Sequence, residues 1–259
     1  GFSYGYNRAE DSWDYNSAQS LVLQLVDKVS RGGNFLLDIG PDAHGKIPPI
    51  MEERLLDIGK WLGANGEAIY NTVKWQRSSQ WSAGRTDYQP KNGGGDLLLK
   101  LTIDPDPGYA VKEAFFTYNP AQNNLYAILP RYPSSLQMRL KGIHPPAGTK
   151  LSLLETGQEL AWEQEGEDLL VHFPAYDPNK ISHTEAYVVK IAGYGRFTPA
   201  PAIDISYAQK NLKPVISLSG PAGAELHFTL DGSQPDASSP LYSAPLSPAT
   251  PVEITVIAL

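Results

Sequence analysis

The chain has 259 residues, with 21 Lys and Arg against 28 Asp and Glu, a formal net charge of −7. Acidic charge spread along the chain lacks the basic footprint of a nucleic-acid binder, and the absence of Cys excludes disulfides, thiolate metal sites and a Cys nucleophile. Apolar residues at 41%, with 23 glycines beside them, suffice for a packed core, and no apolar run reaches the ~18 residues of a membrane span.

Both ends read as cut. Gly1 leads straight into the aromatic-rich segment Gly1-Phe2-Ser3-Tyr4-Gly5-Tyr6-Asn7, and residues 251–259 alternate in strand fashion to the last position. Natural domains usually carry a few loose residues at each end, so the sequence is expected to be a fragment.

Residues 1–72 read as α/β. Asn16 or Ser17 is placed to cap a helix in which Leu21, Val22, Leu25, Val26 and Val29 recur at three- and four-residue steps. Arg31-Gly32-Gly33 supplies the charge and the glycine that suit a helix C-terminus. The run Asn34-Phe35-Leu36-Leu37-Asp38-Ile39-Gly40 is short, apolar on both faces and bounded by glycines, which predicts a buried parallel strand. After the loop 41–46, Pro48-Pro49 opens a second helix with Glu52 and Glu53 in its first turn. Its stripe Met51, Leu55, Ile58 and Leu62 is expected to be buried, and Asn65-Gly66 to end it. Helix, strand, loop, helix is the tail of a βα-repeat architecture, and one such unit cannot cover both faces of its strand.

Residues 73–192 change to period two. Short apolar segments at 97–103, 114–118, 125–129, 136–140, 150–154, 169–173 and 185–191 are separated by Gly, Pro and Asn, the spacing of an antiparallel β-sandwich. Residues 193–204 read as a Gly/Pro linker. In 205–259, segments 215–218, 225–230 and 252–257 look like strands of a smaller β-module, with Asp231-Gly232 as a hairpin signal.

Few residues carry chemistry. His44, His144, His172, His183 and His227 are scattered, so no metal cluster is expected. Asn92-Gly93-Gly94-Gly95-Asp96 lacks the Lys-Ser/Thr and helix of a phosphate loop and reads as a turn. Asp231 and Asp236 do not muster the ligands that Ca²⁺ requires. Phe2, Tyr4, Tyr6, Trp13 and Tyr15 form an aromatic cluster that suits either a core or a site stacking on the C–H faces of a sugar. Glu10, Asp11 and Asp14 lie beside it. A retaining glycosidase needs two carboxyls about 5 Å apart, whereas neighbouring acids on one loop more often lead a helix.

The runs Tyr4-Gly5-Tyr6-Asn7-Arg8, 25–41 (LVDKVSRGGNFLLDIGP), Gly45-Lys46-Ile47-Pro48-Pro49, 53–62 (ERLLDIGKWL) and Asn65-Gly66-Glu67-Ala68-Ile69-Tyr70 resemble the α-L-fucosidases of glycoside hydrolase family 29. Residues 226–242, with Phe228-Thr229-Leu230-Asp231-Gly232-Ser233-Gln234-Pro235, are similar to the Ig-like module at the C-termini of chitobiases and β-hexosaminidases. The resemblance implies a multidomain fold. Residues 1–72 would be the C-terminal end of a (β/α)₈-like catalytic barrel, 73–192 an antiparallel β-sandwich, 193–204 a linker, and 205–259 a partial Ig-like module.

It further implies a retaining exo-glycosidase, cofactor-free, that removes terminal α-L-fucose from oligosaccharides or glycoprotein glycans through a covalent glycosyl–enzyme intermediate. The family's Asp nucleophile and Glu acid/base have no counterpart in this sequence, so the chain alone is expected to be inactive. Tyr4 stands where the family places a Trp or Phe against the sugar ring and its methyl, and is the one substrate-binding residue that carries over. Asn34 and Asp38, where the family usually has Asn at the second position, are read as structural, and His44 on loop 41–46 as a secondary candidate at the pocket rim. The family also implies a periplasmic or extracellular location. The alternative is a non-catalytic carbohydrate-binding or structural protein built on the two β-modules, with 1–72 as a vestigial scaffold.

Overall fold

A computed structural model of the chain describes residues 3, 5–89, 97–197, 200–209 and 212–259. It divides into two compact units, Gly1–Arg196 and Phe197–Leu259.

The first unit begins with helix α1 (Ala18–Ser30), where Ser17 is the cap and its hydroxyl accepts from the Ser20 N–H at 3.1 Å. The helix closes in a Schellman turn. Gly32, at φ +82°, donates to the Val29 carbonyl, and Gly33 donates to that of Lys28. Leu21, Val22, Leu23 and Val26 are buried, each contributing about 1.5–3 kcal/mol of transfer free energy. Helix α2 (Pro49–Asn65) takes Pro49 in its first turn, where no N–H is needed, and Glu52 faces the positive end of the helix dipole. Its apolar stripe divides in two. Ile58 and Leu62 pack on the core with the fully buried Trp61, while Met51 and Leu55 face residues 34–40.

Strands β1 (Val73–Trp81), β2 (Lys112–Asn119), β3 (Asn124–Leu129), β4 (Gln137–Lys141), β5 (Leu151–Leu153), β6 (Gln158–Leu160), β7 (Trp162–Glu165), β8 (Asp168–His172) and β9 (Tyr187–Ile191) build two sheets. One has the order β1-β2-β3-β9-β5-β6, the other β4-β8-β7, and every pairing is antiparallel. Phe115, Tyr126, Ile128 and Val188 share one face of the larger sheet and form a single core with Val22, Leu23, Val26 and Trp61 of the helices. The helices and the sheet are thus one body. Three polar links pin it. The Trp61 indole donates to the Ala186 carbonyl at 2.9 Å, the Thr117 hydroxyl to that of Ala68 at 2.6 Å, and buried Lys112 meets buried Asp27 at 2.5 Å.

Two expectations for this unit change, and β1, β6 and β7 fall outside the expected segments. Residues 97–103 are not a strand: Leu97–Lys100 form a short helix, α3, and the Leu-rich run continues as turn. Leu is a strong helix former, and the run lacks β-branched residues before Thr102. Strand β1 lies in a stretch with no clean alternation, and two register shifts, between Lys74 and Ser79 and at Gln80/Trp81, interrupt its pairing with β2. Residues 34–40 form no strand. No other strand runs beside them among the described residues, so their backbone has no ladder to join.

In the second unit, β10 (Ala202–Tyr207) pairs with β11 (Pro214–Ser219), and β12 (Leu226–Thr229) with β13 (Thr255–Ala258). Its core is small, Ile216, Leu218, Leu226 and Phe228 with Tyr242, Leu246, Ile254 and Val256 against them. Residues 202–204, read as linker, open β10. Asp231-Gly232 does not turn a hairpin. The Asp231 carboxylate accepts from the backbone and hydroxyl of Ser233, and the Gly232 N–H reaches the Glu253 carbonyl, so the chain loops out before returning as β13.

Candidate functional site

The segment 34–40 is extended with alternating exposure. Phe35, Leu37 and Ile39 are half-buried, and Leu37 and Ile39 line a small cavity of about 70 Å³ with Leu21, Met51 and Leu55 of the two helices. Asn34, Leu36 and Asp38 are exposed, Leu36 at 93%, although Asp38 also borders the cavity. Leu36 thus stands bare between two exposed polar residues, while its neighbours Phe35 and Leu37 are half-buried. The cavity behind it falls well below the roughly 300–1,000 Å³ of small-molecule pockets and holds no sugar ring.

At the end of this segment the chain crosses close against its own N-terminal stretch. A Cβ on Gly40 would lie 2.3 Å from the Tyr6 nitrogen and 2.5 Å from the Gly5 carbonyl carbon, so only glycine admits the Gly5-Tyr6 backbone there. That contact carries the residues following Tyr4 to the C-terminal end of the extended segment. Tyr4 and Phe2 themselves lie outside the described residues. Of the remaining cluster, Tyr6 is 41% and Trp13 92% exposed. Tyr15 is half-buried, and burial followed by the nearby Glu10 carboxylate raises its hydroxyl above the ordinary value.

The neighbouring acids have structural partners. Asp11 and Asp14 form a capping box on the 3₁₀ turn Ser12–Asp14: Asp11 accepts from the Trp13 N–H, and Asp14 accepts from that of Asp11, each at 2.9 Å. Glu10 accepts from the Ser3 N–H at 3.0 Å. His44 is exposed on a loop that Asp42 holds, its carboxylate accepting from the N–H groups of His44 and Lys46. Arg54 was not singled out in the sequence. Its Nε donates to the Asn16 carbonyl at 3.2 Å, which ties α2 to the residue preceding the cap of α1 beside the cavity. Its place one residue after Glu53 in the matched run gave no sign of that contact.

Taken alone, the arrangement offers an apolar wall, and the acids beside it, Glu10, Asp11 and Asp14, each accept from a backbone N–H. Residues 1–67 match the family model described as Alpha-L-fucosidase, residues 109–192 the Alpha-L-fucosidase C-terminal domain, and residues 207–259 the Chitobiase/beta-hexosaminidase C-terminal domain. The plasma alpha-L-fucosidase of Homo sapiens is 36% identical over 178 residues, which cover 66% of this chain and 31% of that protein. The alpha-L-fucosidase of Dictyostelium discoideum is 53% identical over 76 residues, 29% of this chain and 16% of that one. The crystal structure of Thermotoga maritima alpha-fucosidase in complex with fucose has a TM-score of 0.56 at 28% identity, covering 74% of this chain and 38% of that chain. The chain spans less than half the length of these relatives. Sequence matches over both parts of the first unit and the shared fold agree: the chain belongs to the α-L-fucosidase family.

Proposed function

We propose that this chain forms part of a retaining exo-α-L-fucosidase that hydrolyses terminal α-L-fucose from oligosaccharides and glycoprotein glycans through a covalent glycosyl–enzyme intermediate. The observation that carries the reading is the segment 34–40, which lies inside the match to the Alpha-L-fucosidase family and leaves Leu36 93% exposed. It is the closing strand of a (β/α)₈-like barrel whose other strands lie on polypeptide outside this sequence. Leu37 and Ile39 face the outer helices, and Asn34 and Leu36 face the lumen. Barrel active sites sit at the C-terminal ends of the strands, and Gly40, with Gly5-Tyr6 across it, is that end. Tyr4 then walls the pocket against the sugar's methyl group, whose burial contributes on the order of 1 kcal/mol.

Within this reading, residues 73–192 are the β-sandwich, and 205–259 a partial Ig-like module joined through 193–204. The location is periplasmic or extracellular, a reading supported by the name of the plasma relative. The nucleophile and the acid/base lie beyond this sequence, because no Asp or Glu in it matches either family motif, and Asp11 and Asp14 cap a turn. Two assays on an aryl α-L-fucoside test the proposal. The purified chain of residues 1–259 is expected to give no turnover, and a longer protein carrying the remaining barrel strands to give turnover that Tyr4→Ala lowers. Turnover by the chain alone, or an inert longer protein, would overturn it.

A further inference from the structure

Another cavity lies far along the chain from residues 34–40, at one end of the antiparallel sheets. Four aromatic rings converge there. Tyr132 packs edge-on against Phe173, Tyr176 and Tyr187 at centroid distances of 5.2–5.4 Å, and its hydroxyl donates to the Pro174 carbonyl at 2.8 Å. Tyr176 also meets Tyr187, at 6.4 Å and nearly perpendicular. Tyr187 is buried, and that burial, with Tyr176 beside it, pushes its hydroxyl up to about 12. Tyr176 is different. It is 39% exposed and lines an open cavity of about 370 Å³, within the range of small-molecule sites.

The rest of that lining sets polar Thr156, Gln158, Asp177 and Lys180 among Pro174, Ala175, Pro178 and Ile181. Asp177 accepts from the backbone and side-chain amide of Asn179 at 3.0 and 3.1 Å, its carbonyl takes the N–H groups of Lys180 and Ile181, and Lys180 lies 3.7 Å from its carboxylate. These bonds hold the Asp177 carboxyl below its ordinary range, the backbone bond from Asn179 first among them. Across the cavity stand Thr156 and Gln158. The site therefore combines one aromatic plane, fixed by its neighbours, with a carboxylate, an ammonium, an amide and a hydroxyl, and Asp177 and Lys180 balance each other's charge. A neutral ligand with an apolar face and a rim of hydroxyls matches that set. An anion would meet the Asp177 carboxylate, and a purely apolar ligand would strand the polar rim.

We propose that this cavity binds a neutral pyranose of a glycan chain, with Tyr176 stacked on its C–H face and Asp177, Lys180 and Gln158 bonded to its hydroxyls. The proposal stands apart from the fucosidase reading, since binding here requires no barrel and no turnover. Calorimetric or NMR titration of the 259-residue protein with methyl β-galactoside, N-acetyllactosamine and methyl α-L-fucoside tests it. Saturable, millimolar binding of at least one is expected, with NMR shifts confined to 156–158 and 174–181. Tyr176→Ala should weaken it about tenfold or more, Tyr176→Phe little, and Lys180→Ala and Gln158→Ala a few-fold each. Tyr207→Ala, on β10 and more open to solvent than Tyr176, should leave it unchanged. No saturable binding, binding indifferent to Tyr176→Ala in a variant that melts normally, or capture of a proline-rich peptide in place of sugar would each overturn it.

Discussion

Two stretches of this chain are nearly the same to the eye and opposite in outcome. Asn124-Leu125-Tyr126-Ala127-Ile128-Leu129 and Asn34-Phe35-Leu36-Leu37-Asp38-Ile39 are both short apolar runs that open on Asn. The first is β3, buried at every position between β2 and β9. The second pairs with no strand among the described residues and leaves Leu36 bare. Composition does not separate them; neighbours do. A strand buried on both faces exists because ladders flank it and layers cover it. In β3, helices cover the face of Tyr126 and Ile128, while Leu125 and Ala127 are just as buried on the other. Helices cover one face of 34–40 as well, and the second face is open.

Identical substitutions at the two places should therefore differ several-fold in effect, and the larger comes first. Leu125→Ala empties space at a fully buried position in the middle of the larger sheet. It should destabilise the first unit by about 2–5 kcal/mol, read as a fall in the midpoint of urea unfolding at unchanged slope. A loss below about 1 kcal/mol would mean that the sheet repacks freely around β3, and the contrast with 34–40 would lose its basis.

What could be read in advance follows the same division. Helix α1 was legible at both ends, because its cap and its stop are local chemistry: the Ser17 hydroxyl and the left-handed Gly32 need only their own neighbours. Segments 125–129 and 169–173 were legible because their periodicity and their turn punctuation agree, and β3 and β8 follow them closely. Strand β1 was not, since bulges scramble its alternation and its buried Trp75 sits among polar residues. The leucines of 97–103 carried apolarity without shape, and helix propensity decided. For the site, the motif run located the family and the glycines without their reason. That Gly40 must be glycine depends on Gly5-Tyr6 passing against it, a contact 35 positions apart that no local pattern encodes.

A smaller effect tests how β3 is held in place. The Tyr126 hydroxyl donates to Glu67 at 2.7 Å, and Lys190 of β9 reaches the same oxygen at 2.6 Å. Burial alone would favour the neutral acid, but the hydrogen bonds from Lys190 and Tyr126 prevail and hold Glu67 below its ordinary value of 4.5. A carboxyl depressed in the folded state adds stability that is complete above its unfolded value and is lost as the pH falls through the folded one. Glu67 is 37% exposed, so solvent screening keeps the contribution below about 1 kcal/mol. Glu67→Gln should lower the melting temperature slightly at neutral pH, and the gap to the wild type should close on acidification. An equal gap at both pH values would show that the link works through shape and not through charge.

The smallest expected effect is the most informative. Leu36→Ala removes the same atoms as Leu125→Ala, from a side chain that touches almost nothing in this chain. Its unfolding free energy should stay within about 0.5 kcal/mol of the wild type, as for a surface change away from any packed feature. In a protein that carries the rest of the proposed barrel, the same substitution should behave like Leu125→Ala and lower stability by about 2 kcal/mol or more, because the side chain would then line a packed lumen. A large loss in the 259-residue chain would show that Leu36 is already covered in solution, by a second copy or by rearrangement of its own segment. Indifference in both proteins would mean that residues 34–40 close no barrel.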